Sequence, residues 1–143
     1  MTKSILLVED NIDDEILTLR ALKKNNIANS VTVVRDGEEA LDYLSGTGKY
    51  LGQDTPLPEV VLLDLNLPKI SGIEVLQRIR QHKRTRLLPV VVLTTSNEEE
   101  DKINSYQYGA NSYVRKPVSF EQFIEAIRQL EMYWLILNQV PKR

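Results

Sequence analysis

The 143-residue sequence contains no cysteine. Disulfides, thiolate metal sites and cysteine nucleophiles are therefore excluded, and the composition suits a reducing compartment. Long apolar runs are missing too. Nothing approaches the roughly 18 consecutive apolar residues of a membrane-spanning helix. The N-terminal "MTKSILLVEDN" offers an apolar run of only four residues, too short for the core of a secretion signal. There is also no excess of one charge. Lys and Arg number 18 against 20 Asp and Glu, a formal net charge of −2, so no global basic field points to nucleic acid. What is present, 42% hydrophobic and 27% charged residues, is the balance of a soluble domain, and the length suits one domain with a full core. These features read as a cytoplasmic protein with neither a membrane nor a direct nucleic-acid partner.

Strand-like and helix-like runs alternate along the chain. Strands are expected at Ile5–Val8, Val31–Arg35, Val60–Leu63, Val90–Leu93 and Ser112–Arg115. The first, third and fourth are almost wholly aliphatic, as in a parallel sheet covered on both faces. Helical spacing fills the gaps: Ile16, Leu19 and Leu22; Ala40, Leu41 and Leu44; Ile73, Leu76 and Ile79. A more polar helix is expected over Glu98–Tyr108. In the last helix Phe120, Phe123, Ile124, Ile127, Leu130 and Trp134 form one stripe. Ser119 with Gln122 three residues on has the pattern of a capping box. Five strand–helix units in series imply an α/β doubly wound sheet with right-handed crossovers. The stretch Gly46–Pro58, "GTGKYLGQDTPLP", reads as a surface loop.

In "VVLLDLNLPK", Val60 to Lys69, a carboxylate follows four aliphatic residues without a break. A buried charge without partners costs several kcal/mol, so Asp64 calls for a strand end and a partner. Strand one ends in Glu9 and Asp10, strand four in Thr94, Thr95 and Ser96, and strand five leads into Lys116 and Pro117. Ligand sites of open α/β sheets lie at the carboxyl ends of the strands, so these residues should converge. Three crowded acids repel one another unless a cation joins them. A small all-oxygen set suits Mg²⁺. With Lys116 and the Thr94 hydroxyl added, the site suits phosphoryl oxygens, and Asp64 can act as a nucleophile that forms an aspartyl phosphate.

The segments "LLVEDN" (Leu6–Asn11), "LLDLNLPKISG" (Leu62–Gly72), "VVVLTTS" (Val90–Ser96) and "ANSYVRKP" (Ala110–Pro117) resemble, in order and spacing, the receiver domains of two-component response regulators. The resemblance covers nearly the whole chain and implies the flavodoxin-like strand order 2-1-3-4-5. It implies that Asp64 is the phosphorylated aspartate and that Glu9 and Asp10 hold Mg²⁺, Asp10 directly and Glu9 through water. Asn66 would complete the metal site with its backbone carbonyl. Thr94 would move onto the phosphoryl group, Tyr113 would report that movement by its rotamer, and Lys116 would pair with the phosphoryl oxygens. A cis Lys116–Pro117 bond is implied as well. The partner implied is a histidine kinase. "LDLNLPK", "PVVVLTTS", the long loop before strand three and "YWLILNQVP" are similar to stand-alone regulators serving bacterial phytochromes, especially in cyanobacteria, which suggests a phytochrome-type kinase. The protein would be a signalling switch that assists its own phosphorylation and dephosphorylation, with no output domain.

Two other functions compete with this one. A phosphatase of the haloacid-dehalogenase kind also uses an aspartate nucleophile and Mg²⁺, but its second Asp, two residues on, is here Asn66. A receiver-like binding module without phosphorylation is opposed by the complete set Glu9, Asp10, Asp64, Thr94 and Lys116. Asp13, Asp14 and Glu15 suit a helix first turn and are not assigned as metal ligands. The basic run Arg78, Arg80, His82, Lys83, Arg84 and Arg86 reads as a solvated helix end, and His82 as neither a phosphorylated histidine nor a metal ligand. The chain is expected to be one receiver domain, 1–143, with a helical extension from about 132 to 143. Tyr133, Leu135, Ile136 and Leu137 would make that extension apolar all round. Such an end either folds back on its own domain or joins the helix-four, strand-five, helix-five face in a homodimer, and the dimer is the expectation.

Overall fold

The structure is a computed structural model and describes residues 3–25 and 30–141. Five strands, β1 (Ser4–Val8), β2 (Ser30–Val34), β3 (Val60–Leu63), β4 (Val90–Thr94) and β5 (Ser112–Arg115), alternate with five helices. The helices are α1 (Ile12–Asn25), α2 (Gly37–Ser45), α3 (Gly72–Gln81), α4 (Glu99–Gln107) and α5 (Phe120–Glu131). All four strand pairings are parallel, and the order is β2-β1-β3-β4-β5. The expected order and doubly wound class are therefore what the chain adopts.

Strand alternation divides the core into two layers. Leu6, Val8, Val61, Leu63, Val90 and Val92 point to one face and pack on Ala40 and Leu44 of α2 and Val75, Leu76 and Ile79 of α3. Ile5, Leu7, Val60, Leu62, Val91 and Leu93 point to the other and meet Ala21 and Leu22 of α1 and Phe123 and Ile127 of α5. Every residue of β3 and β4 is buried, which explains their unbroken aliphatic runs. Each such side chain removed from water contributes about 1.5–3 kcal/mol. The polar α4 buries only Ser105.

Local chemistry sets the helix starts. Asp36, Ser71 and Ser119 each accept a hydrogen bond from the backbone three residues on, capping α2, α3 and α5. Asn11 does the same for α1 through the Asp14 amide, at 3.0 Å. The loop of residues 46–58 contains one 3₁₀ turn, Gly48–Tyr50. Tyr50 stacks edge-on against Tyr43 and donates its hydroxyl to Glu39.

The C-terminal extension is helical over a shorter span than expected. After α5 the chain widens into a π-type turn, Met132–Leu137, and leaves helical geometry at Asn138. Trp134 and Leu135 bury into the α1/α5 layer, while Tyr133, Ile136 and Leu137 stay exposed. Of the four residues expected to make the extension apolar all round, only Leu135 folds back on its own domain, together with Trp134 of the α5 stripe. Residues 142 and 143 lie outside the described residues.

Candidate functional site

The all-parallel pairing brings the C-terminal ends of β1, β3, β4 and β5 to one edge. Glu9 follows β1 directly and is buried, with its amide bonded to the Val34 carbonyl of β2. Asp10, next in the chain, is exposed. Asp64 follows β3 and is buried, its amide held by the Val8 carbonyl. Glu9, Asp10 and Asp64 can each offer one carboxylate oxygen such that all three lie within 4.8 Å of one another. Three hard oxygens at that spacing, one facing solvent, fit a divalent cation that keeps part of its water shell.

The fourth corner is Lys116. It is buried, and its Nζ lies 2.5 Å from Glu9 Oε1, 2.9 Å from Asp14 Oδ2 and 3.4 Å from Asp64 Oδ2. A trans backbone delivers it. No peptide bond among the described residues is cis, so the cis Lys116–Pro117 bond expected from the resemblance is not what this chain adopts. The tertiary amide of an X–Pro bond favours trans by about 0.5–1 kcal/mol. The Lys116 amide also reaches the Thr94 carbonyl at 2.7 Å, which ties β5 to β4.

Burial and crowding set the protonation. Burial pushes the Glu9 carboxyl up to about 7, and the Asp64 charge adds to this, while the Lys116 hydrogen bond offsets only part of it. Burial alone would depress the Lys116 ammonium. Its hydrogen bonds to Asp14 and Glu9 outweigh burial and raise it instead. The site therefore holds more negative charge than its single internal cation neutralises.

Two features shape the loop that carries Asp64. Gly72 opens α3 against it: a Cβ there would sit 2.3 Å from the Asp64 carbonyl oxygen and 2.6 Å from Leu65 Cα. Only glycine permits that approach. Lys69 adopts φ +66, a left-handed conformation costly for a side-chain-bearing residue. Asn66 donates its amide to Asp64 Oδ1 at 3.3 Å. Thr94 is fully buried at the end of β4, and its Oγ1 accepts from the Ser96 amide at 3.4 Å. Tyr113 donates its hydroxyl to the Ser96 carbonyl at 2.9 Å, so the loop after β4 links the two residues. Burial pushes the Tyr113 phenol up.

The residues picked from the sequence gather at this edge, with one addition. Asp14, set aside above as a helix-start acid, reaches Lys116. His82 lies at the end of α3, at the far edge of the sheet. The basic run there is only partly a solvated end. Arg80 is hydrogen-bonded to the carbonyls of Gly109, Leu88 and Arg86 and to the Asn111 side chain. Arg84 spans the carbonyls of Leu44 and Thr55. No helix among the described residues is long and apolar enough to cross a membrane.

Comparison with known proteins agrees with this geometry. The response regulator receiver domain model matches residues 5–128. The chain is 43% identical over 137 residues to the probable methanogenesis regulatory protein FilR2 of Methanothrix harundinacea, covering 96% of this chain and 86% of that one. It is 41% identical over 139 residues to the response regulator Rcp1 of Synechocystis, covering 97% and 93%. The Mn²⁺-bound crystal form of Rcp1 superposes with a TM-score of 0.89 at 39% identity, covering 98% and 99%. The phosphorylated cyanobacterial phytochrome response regulator RcpA superposes with a TM-score of 0.91 at 39% identity, covering 99% and 100%. The aligned span takes in all five strands and the converging acids, and on that ground the chain belongs to the response regulator receiver domain family.

Proposed function

We propose that this protein is a phosphoacceptor switch in which Asp64 takes a phosphoryl group from a histidine kinase. One observation carries the reading: a buried aspartate at the C-terminal end of the central strand, flanked by two further acids and reached by a buried lysine. An Asp64 oxygen attacks phosphorus, the P–N bond to the donor's imidazole breaks, and the imidazole nitrogen leaves with the electron pair. Lys116 neutralises charge that develops on the phosphoryl oxygens. Glu9, Asp10 and Asp64, with the Asn66 carbonyl, would hold Mg²⁺, which would supply further charge neutralisation at those oxygens. Thr94 and Tyr113 would pass the change to the face of α4, β5 and α5, in a receiver unit extended by the turn after α5.

The same residues assist loss of the phosphoryl group to water, which makes the protein a switch rather than a turnover enzyme. The similarity to Rcp1 and RcpA supports a phytochrome-type kinase as donor, in the cytoplasm; FilR2, of similar identity, is described instead as a probable methanogenesis regulatory protein. Ile103 and Tyr106 on α4 and Tyr133, Ile136 and Leu137 on the tail are exposed, which supports a homodimer through that face and tail.

Acetyl phosphate with Mg²⁺ should label the wild type with acid-labile phosphate, and Asp64→Asn should take up none. Undiminished labelling of Asp64→Asn sinks the assignment.

A further inference from the structure

We infer that Asp14 is a positioning residue that competes with the phosphoryl group for Lys116; this rests on the phosphoacceptor reading above. A lysine ammonium has three N–H donors. In this structure three carboxylates take them: Glu9, Asp14 and Asp64. A phosphoryl group on Asp64 brings new anionic oxygens to an ammonium with no free donor. One acceptor must give way.

The three are not equally able to do so. Glu9 is 1% exposed and its other oxygen already accepts from the Asn11 amide at 3.3 Å, so it has the least water to take the place of the ammonium. Asp64 carries the phosphoryl group itself. Asp14 has a side chain 29% exposed, so water can take the place of the ammonium. Its backbone stays put while the side chain turns. The Asp14 amide is held by Asn11 Oδ1 at 3.0 Å, and its carbonyl accepts from Thr18 Oγ1 at 2.7 Å. Asp14 also faces Thr95, Pro117 and Val118 across a small cleft beside Lys116, which gives the carboxylate room to swing.

Asp14 thus parks Lys116 between phosphorylation events and opposes capture of the phosphoryl group. Its charge also lies next to the incoming oxygens, and the two effects have the same sign. Removing the charge tightens anion binding, whereas loss of a purely structural prop would loosen Lys116 and weaken it.

The test uses the full chain, Mg²⁺ and beryllofluoride as the phosphoryl stand-in, with affinity read from the shift in melting temperature. Asp14→Asn should bind beryllofluoride about fivefold more tightly than wild type, as expected for an ion pair worth up to about 1 kcal/mol. Asp14→Glu, which keeps the charge, should stay near the wild-type value. Asp14→Ser gives the same reading if Asp14→Asn does not fold. Unchanged or weaker binding by the neutral variants overturns the inference, as does Asp14→Glu tightening as much as Asp14→Asn. A folded wild type that fails to bind beryllofluoride at all instead removes the phosphoacceptor reading, and this inference with it.

Discussion

The two edges of the sheet place charge in opposite ways. At the C-terminal edge Glu9, Asp14 and Asp64 surround the Lys116 ammonium, and burial pushes Glu9 up to about 7. At the N-terminal edge Arg80 ends α3 with its guanidinium aimed at four acceptors on the segments that lead into β4 and β5. Asn111, one of them, also accepts from the Val90 amide at 2.8 Å and returns its own amide to the Val90 carbonyl. A planar guanidinium suits such a fork of acceptors. Burial lowers its pKa without bringing it near neutrality. At one edge the Arg80 guanidinium gives its hydrogen bonds to oxygens of the neighbouring segments. The other keeps an excess of like charge that only an added cation or a chemical step relieves.

Breaking the Arg80 edge should have the largest effect. Arg80→Met leaves the carbonyls of Gly109 and Leu88 short of a donor and should cost about 3 kcal/mol, lowering the melting temperature by about 10 °C. Beryllofluoride affinity, measured on the folded variant, should not change. A variant as stable as wild type would mean that water replaces the guanidinium freely.

The acidic edge should respond with the opposite sign. Glu9 has a folded-state pKa of about 7 against the ordinary 4.5, so the native state binds more protons than the unfolded chain between those values. Metal-free protein should therefore lose stability as pH rises from about 4.5 to 7. Glu9→Gln lacks this slope, and its stability relative to wild type should grow by about 2 kcal/mol across the window. Urea midpoints in a chelator measure it; parallel curves for the two proteins would show that the carboxyl is not strained by burial.

How far each edge was legible in the sequence follows from the range of the interactions. The strands were readable because full burial on two faces demands aliphatic runs, and Ser112–Arg115 matches β5 residue for residue. The second strand lies one residue earlier than expected, Ser30–Val34 rather than Val31–Arg35, because Arg35 turns out to bind Glu15 of α1. Glu9, Asp10, Asp64 and Lys116 were readable because topology alone sends strand ends to one edge. The reach of Asp14 was not, since a first-turn acid has a sufficient local reason to exist. Arg80 and Arg84 were misjudged for a related cause. A cation near a helix end looks solvated until the carbonyls it meets, 29 residues away in sequence for both Gly109 and Thr55, are placed beside it.

A smaller effect distinguishes the edges through the metal. Mg²⁺ at ten times its dissociation constant should stabilise the wild type by about 1.5 kcal/mol. Asp10→Ala should lose most of that gain, whereas Arg80→Met, weakened overall, should keep it. If Asp10→Ala retained the full response, the exposed acid would not be a ligand.

The smallest effect comes from a carboxylate close to the acidic edge in sequence logic but satisfied in structure. Glu39, in the first turn of α2, accepts from the Arg35 amide at 2.9 Å and the Tyr50 hydroxyl at 3.1 Å, and pairs with Lys49. Burial would raise its pKa, but the Lys49, Arg35 and Tyr50 hydrogen bonds together outweigh it and the carboxyl is lowered from 4.5. Here the unfolded chain binds protons more readily than the native state. The contribution is complete above 4.5 and is lost as pH falls below it, the reverse of Glu9. Much of the pair is solvated, so Glu39→Gln should cost only about 0.5 kcal/mol at pH 7. That cost should shrink as pH falls from 7 to about 3, because the lowered carboxyl takes up its proton below 4.5. The difference in urea midpoint at the two pH values measures it, and a cost that persists unchanged in acid would show that Glu39 holds the 46–58 loop through shape rather than charge.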